Sequence, residues 1–277
     1  YLEANRYAKT HANIEYTMES NYYIGLLKDK VGEHAEALKL HKNNYNSLKR
    51  DPSIVSDSDY LTYMFALANS YNELQQLDSA SYYNRLGVLE SRRLQKPTKY
   101  YHFVLNEGIT QHYNKRYLVS LDSIHKALDH LKTQNDEQNC AIGYFYAGRS
   151  YILLENEDKA VQMFKNVDSL LRKSRYVHSK LRKSYEYLIR YYERKGQIQD
   201  QLTFITRLMS YDSLYAESQL YLNKKIIREY DTPNLLRDKE ALIQELEQKD
   251  NRLIHIVLGL LFLFVIAFLY ITTLSLN

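Results

Sequence analysis

One spacing constrains this chain more than any other feature: a set of small residues flanked by large ones that returns about every forty residues. The clearest copy is Tyr144, Ala147, Gly148 and Tyr151, followed by Ala160 and Phe164. On a helix, residues three and four apart share a face, so the first four line one stripe. Two antiparallel helices cross closely only where small residues let their backbones approach. Gly148 and Ala160 supply that, and the aromatic rings fill the space around them. Met64, Leu67, Ala68, Tyr71, Ala80 and Gly87 repeat the pattern, and so do Val104, Gly108, Ser120, Ile124 and Ala127. Ile24, Gly25, Gly32 and Ala37 give a weaker copy, and Tyr185, Leu188, Tyr192, Gly196, Ile205 and Leu208 another, with Ile189 and Gln201 in place of the small residues. The position equivalent to Gly148 falls at 25, 68, 108, 148 and 189, a near-constant interval.

Composition agrees with helices throughout. The 277 residues include only 8 Gly and 3 Pro, about 4% against a usual share of roughly 12%. Sandwiches and barrels need those residues at many turns. Hydrophobic residues make up 45% of the chain, too many for long disorder. The 28 Tyr suit helix interfaces, where the ring is buried and the hydroxyl stays at the wet edge. A net charge of +4 does not by itself point to nucleic acid. The single cysteine, Cys140, excludes an intrachain disulfide framework and a multi-cysteine zinc site.

These residues resemble the tetratricopeptide-repeat family over residues 18–212. The expected fold is an all-α, right-handed superhelical solenoid of five helix hairpins, each pair burying its face against the next. The departure is the period, about forty residues where the family uses thirty-four. The surplus is expected in polar, turn-rich connections at 49–59, 94–99, 132–139 and 172–180, with longer second helices. Residues 1–17 read as a helix remnant of a preceding repeat.

Residues 213–252 read as a helical stalk with a break near Pro233, which cannot sit inside a helix without losing a hydrogen bond. Leu235, Leu242, Leu246, Leu253 and Ile256 follow 3–4 spacing, interrupted by Lys239 and Lys249. That seam suits either one amphipathic helix against the last repeat or a homodimeric coiled coil. Residues 253–276 are almost wholly apolar, His255 being their one ionisable group, and are expected to span a membrane once. They contrast with a mean hydropathy of −0.52 over the whole chain. Tyr230, Thr232, Lys239 and Glu240 resemble the Tyr-x-Thr and Lys-Glu motif of Bacteroides-type membrane-tethered tetratricopeptide regulators, with Pro233 a departure. That resemblance implies the sensor half of a bacterial inner-membrane signalling protein, its repeats periplasmic and its output domain beyond the membrane helix. The alternative is a tail-anchored scaffold whose repeats recruit partners in the cytoplasm.

No enzyme motif is present: no HExxH, Walker loop, GxGxxG or GxSxG. His34 and His41 share a helix face without a third ligand, so no metal or cofactor is expected. The cluster RKSRYVHSKLRK over 172–183 holds six Lys and Arg; a solvated face is favoured over acidic partners, lipid headgroups or nucleic acid. The family resemblance implies that the first helix of each pair lines a concave groove. Carried onto this sequence, the groove-facing positions include Phe65, Asn69, Asn72, Phe145, Arg149, Glu186 and Arg190. Asn can bond a peptide backbone as donor and acceptor. Arg149 and Arg190 can fork onto a carboxylate, and the Phe rings offer apolar shelves. The expected partner is a protein or peptide segment in that groove.

Overall fold

The computed structural model describes residues 13–174 and 176–275, of which 238, 245 and 261–275 are described by backbone alone. Most of the remnant expected at 1–17 thus lies outside the described residues, as do the side chains of the expected membrane segment from 261 onward. Residues 14–17 open a helix of their own, started by the Asn13 side chain accepting from the Tyr16 amide at 3.0 Å.

The described chain is helical from end to end. The helices are α1 (Ile14–Lys30), α2 (His34–Arg50), α3 (Asp57–Glu73), α4 (Leu77–Arg93), α5 (Pro97–Tyr113) and α6 (Tyr117–Thr133). They continue as α7 (Glu137–Leu153), α8 (Glu157–Ser174), α9 (Arg182–Arg194), α10 (Ile198–Ile226) and α11 (Thr232–Ser275). A π turn, Ile227–Asp231, stands before α11. The chain divides into two compact units, one up to Lys224 and one from Lys225.

In the first unit the period has a simple origin. Helices α3 to α8 start at residues 57, 77, 97, 117, 137 and 157, so half a repeat is a 17- or 18-residue helix and a three-residue turn. The surplus expected in the connections at 94–99 and 132–139 lies instead in the helices: only 94–96 and 134–136 are turn. Connections between repeats are there as tight as those within them. Each turn closes in the same way. Gln75, Gln95, Lys115, Asn135 and Glu155 take φ between 52° and 61°, the left-handed residue of a Schellman cap. At the first, the Gln75 amide donates to Asn72 O at 3.0 Å and the Gln76 amide to Tyr71 O at 2.9 Å. Longer connections occur only after α2 and α8, where 3₁₀ turns cover Pro52–Ile54 and Ser179–Leu181.

The small residues act as their spacing suggests. A Cβ on Gly148 would meet the Phe164 ring at 2.7 Å, so the missing methyl lets α7 and α8 close on that ring. Ala80, Ala147 and Ala160 are fully buried beside such rings. In the first repeat His41 takes the place of Phe164 and lies against Gly25. Consecutive helices pair along the chain from α1 to α9, and the first helices of successive pairs also touch: α1 with α3, α3 with α5, α5 with α7. Successive second helices meet less closely, so the first helices form a face of their own, the one that solenoids of this kind turn inward.

One set of polar side chains buried between the pairs satisfies itself. Asn72 Nδ2 donates to Asn106 Oδ1 (2.8 Å), Asn106 Nδ2 to Asn84 Oδ1 (2.9 Å), Asn84 Nδ2 to Thr110 Oγ1 (3.1 Å), and Thr110 Oγ1 to Asn72 Oδ1 (2.8 Å). This closed ring ties α3, α4 and α5 together without an unpaired amide.

The second unit is dominated by α11. Leu235, Leu242, Leu246, Leu253 and Ile256 are all exposed along it. Among the described residues no helix is long and apolar enough to cross a membrane.

Candidate binding groove

Four of the seven residues proposed from the sequence meet in one place. Phe145 and Arg149 of α7 and Glu186 and Arg190 of α9 line a cleft of ≈ 300 Å³, together with Ile152, Phe164, Lys183, Tyr187 and Arg194. Its floor is aromatic: Phe145 and Phe164 lie 6.3 Å apart by ring centre, and Phe164 and Tyr187 5.0 Å. Its rim is cationic. Arg149 rests over the Phe145 ring at 5.9 Å, while Arg194 pairs with Glu157. Among the described residues, no carboxylate pairs with Arg149, Lys183 or Arg190. The single acid, Glu186, is drawn to Arg182, not to Arg190 four residues on, and Arg182 also forks onto Asp212 with both bonds at 2.8 Å. The cleft therefore offers an apolar floor and unspent positive charge, which suits a carboxylate beside an apolar side chain.

The other three residues lie elsewhere. Phe65 packs edge-on to Phe103 at 5.6 Å and beside His102. Asn72 is buried in the amide ring described above, so its donors and acceptor are spent within the fold. Asn69 is half-buried on α3. Lys183, Tyr187 and Arg194 were missed by the sequence reading, although with Arg190 they fall at 4, 3 and 4 residue intervals on one face of α9.

The basic cluster at 172–183 is largely neutralised inside the array. Arg172 reaches Asp168 at 3.4 Å, Lys173 pairs with Glu137, and Lys180 reaches Glu73 at 2.6 Å. Arg182 is paired as well, which leaves Lys183 as the cation of the cluster that faces the cleft. Among the described residues, no three His, Cys, Asp or Glu side chains gather to hold a metal ion. Cys140 is buried in the core, and burial pushes its thiol up to about 11.

No family model matches the sequence, and no curated protein matches it. Solved structures do resemble it. A Rap protein complexed with competence and sporulation factor superposes with a TM-score of 0.61 at 14% identity, covering 87% of this chain and 71% of that one. BtubC from P. vanneervenii gives 0.54 at 17%, covering 76% and 86%. A signal-transduction ATPase with a tetratricopeptide-repeat sensor from Pyrococcus horikoshii gives 0.54 at 16%, with 74% of this chain spanning 30% of that protein. At these identities the likeness is one of fold, and the fold is that of a tetratricopeptide-like stack of helix hairpins with a long C-terminal helix.

Proposed function

We propose that the first unit is a non-catalytic protein- or peptide-binding array, and that the cleft between α7 and α9 receives an acidic, partly apolar segment. The carrying observation is the unspent charge of Arg149, Lys183 and Arg190 above an aromatic floor. The Rap structure, solved with competence and sporulation factor, supports reading such a stack as a receptor. A peptide display library panned on the full chain tests this. Enriched sequences should carry Asp or Glu beside an apolar residue, and Arg149→Ala with Arg190→Ala should lose them without lowering the melting temperature. Selections with no acidic bias, or unaffected by the double variant, would overturn the assignment.

The apolar run at 253–276 supports a single membrane anchor, and the resemblance of Tyr230, Thr232, Lys239 and Glu240 to membrane-tethered regulators supports placing the array outside the cytoplasm of a bacterium, as the sensor part of a signalling protein. A reporter fused at Tyr1 that is active only in the periplasm tests that placement; activity only in the cytoplasm would support the tail-anchored alternative. The exposed row Leu235, Leu242, Leu246 and Leu253 supports a homodimeric stalk. Sedimentation of the detergent-extracted chain with and without Leu242→Asp tests it, and a wild-type monomer would end the idea.

A further inference from the structure

The connection between α8 and α9 does more than join them. Its residues Tyr176, Val177 and His178 are half-buried, and Leu181 is fully buried. The His178 amide donates to Tyr211 Oη at 2.8 Å, and that hydroxyl donates to His178 O at 2.7 Å. Thus anchored, the segment sends Lys180 across the inner face to three first helices. Its ammonium lies 2.7 and 2.6 Å from the two carboxylate oxygens of Glu73 on α3. It also donates to Tyr146 Oη of α7 at 3.2 Å and Tyr113 Oη of α5 at 3.4 Å. Both rings stand near it as well, with centres 5.9 and 6.0 Å away, within cation–π range. The two hydroxyls bond each other at 2.7 Å, which fixes the rings around the cation.

This is the coordination of a lysine-binding site, filled from within the chain. The holders come from three separate helices of the inner face, the surface that solenoids present to partners. The occupant comes from the strap between α8 and α9, in its 3₁₀ turn, 107 residues away in sequence. The Glu73 side chain is only 13% exposed and the Lys180 side chain 25%. A carboxylate so enclosed is costly to leave without a cation beside it, which favours a second ammonium where the strap departs.

We propose that Glu73, Tyr113 and Tyr146 form a lysine-binding socket on the inner face, that Lys180 fills it in cis, and that a partner segment presenting a lysine docks there in its place. This rests on the reading that the inner face takes an extended segment, and it concerns residues other than Arg149 and Arg190, so the display experiment above can succeed or fail separately.

The probe is a fluorescein-labelled, end-capped peptide of residues 176–181, Tyr-Val-His-Ser-Lys-Leu, titrated into the full chain. Lys180→Met keeps the apolar stem and empties the socket of its ammonium. It should bind the peptide at least about tenfold more tightly than the unsubstituted chain, whose site is occupied in cis. The same peptide with Lys180→Ala should lose that gain, as should adding Glu73→Gln to the protein. If Lys180→Met melts below the assay temperature, Lys180→Gln serves in the same comparison. Equal binding to the unsubstituted and emptied chains, or indifference to the peptide's lysine, would show that the pair is a brace only and overturn the proposal.

Discussion

Lys180 and Glu73 lie 2.6 Å apart across the inner face, although 107 residues of chain separate them. The bond spans two intervening hairpins, so it staples the later part of the array to the earlier. Removing one partner leaves the other charge enclosed, and mostly buried pairs behave differently from surface ones in this respect. Glu73→Gln and Lys180→Met should each destabilise the fold by about 2 kcal/mol, and the double variant by clearly less than their sum, with a coupling of about 1–3 kcal/mol. Urea denaturation of the four chains checks this. Strict additivity would show that the two side chains do not depend on each other.

The amide ring of Asn72, Asn84, Asn106 and Thr110 is a second long-range tie. Asn106 is its hub, accepting from Asn72 and donating to Asn84, and it is 1% exposed. Asn106→Leu takes the donor from Asn84 Oδ1 and one of two acceptors from Asn72 Nδ2, which keeps its bond to the main-chain carbonyl at this position. At about 1–3 kcal/mol for a buried group left unsatisfied, the variant should lose about 1–3 kcal/mol. Asn43→Ala, on the exposed side of α2, should stay within about 0.5 kcal/mol of the parent in the same urea titration. Similar midpoints for both variants would mean that the ring adds nothing.

These ties explain where the sequence was informative. Small residues such as Gly148 and Ala160 must face rings for two helices to close, so their spacing reported the hairpins directly. The turns were harder to find. Gln75, Gln95, Lys115 and Glu155 adopt the left-handed conformation that Gly usually takes, so the sequence carried no punctuation there and the surplus residues were assigned to loops. On α9, the Arg190 face of the cleft follows helical periodicity and was partly legible. The reach of Lys180 to Glu73 has no local signature at all. A lysine in a basic cluster reads as solvated until the distant carboxylate is placed beside it.

Three histidines give the fold a pH dependence. Burial lowers His41, His112 and His178 to about 4, His112 also feeling Arg149 and His178 also feeling Lys180. His41 is the cleanest case: fully buried against Gly25, with Tyr22 as the titratable ring facing it at 6.1 Å and no hydrogen-bond partner for either nitrogen. A depressed folded value means that the unfolded chain takes up the proton first. Its stability contribution is whole above about 6.5 and is lost as the pH falls towards 4, at up to about 1.4 kcal/mol per pH unit. His34 works the other way. Its hydrogen bond to Asp29, 3.0 Å long, raises it, so its smaller contribution is present at low pH and is lost as pH rises. Urea midpoints measured between pH 7 and 4.5 should fall steadily for the parent and less steeply for His41→Leu. Parallel slopes would show that His41 is already protonated in the fold.

The repeated turn offers a test in which two substitutions should have opposite signs. Glu155 is exposed between α7 and α8 with φ 56°, a conformation that costs an L-residue about 1–2 kcal/mol. Gly196 takes φ 64° in the equivalent turn before α10, with open space where a Cβ would lie. Glycine relieves the backbone at the first site but loses some of that gain to its freer unfolded chain. Glu155→Gly should therefore raise stability by about 0.5–1 kcal/mol, which thermal melts read as an increase of a few degrees at most. Gly196→Ala should lower it by about 1 kcal/mol, and because nothing surrounds the new methyl, the loss is one of backbone and not of packing. A Glu155→Gly chain that melts earlier than the parent would mean that the Glu155 side chain contributes more to the turn than its strain costs.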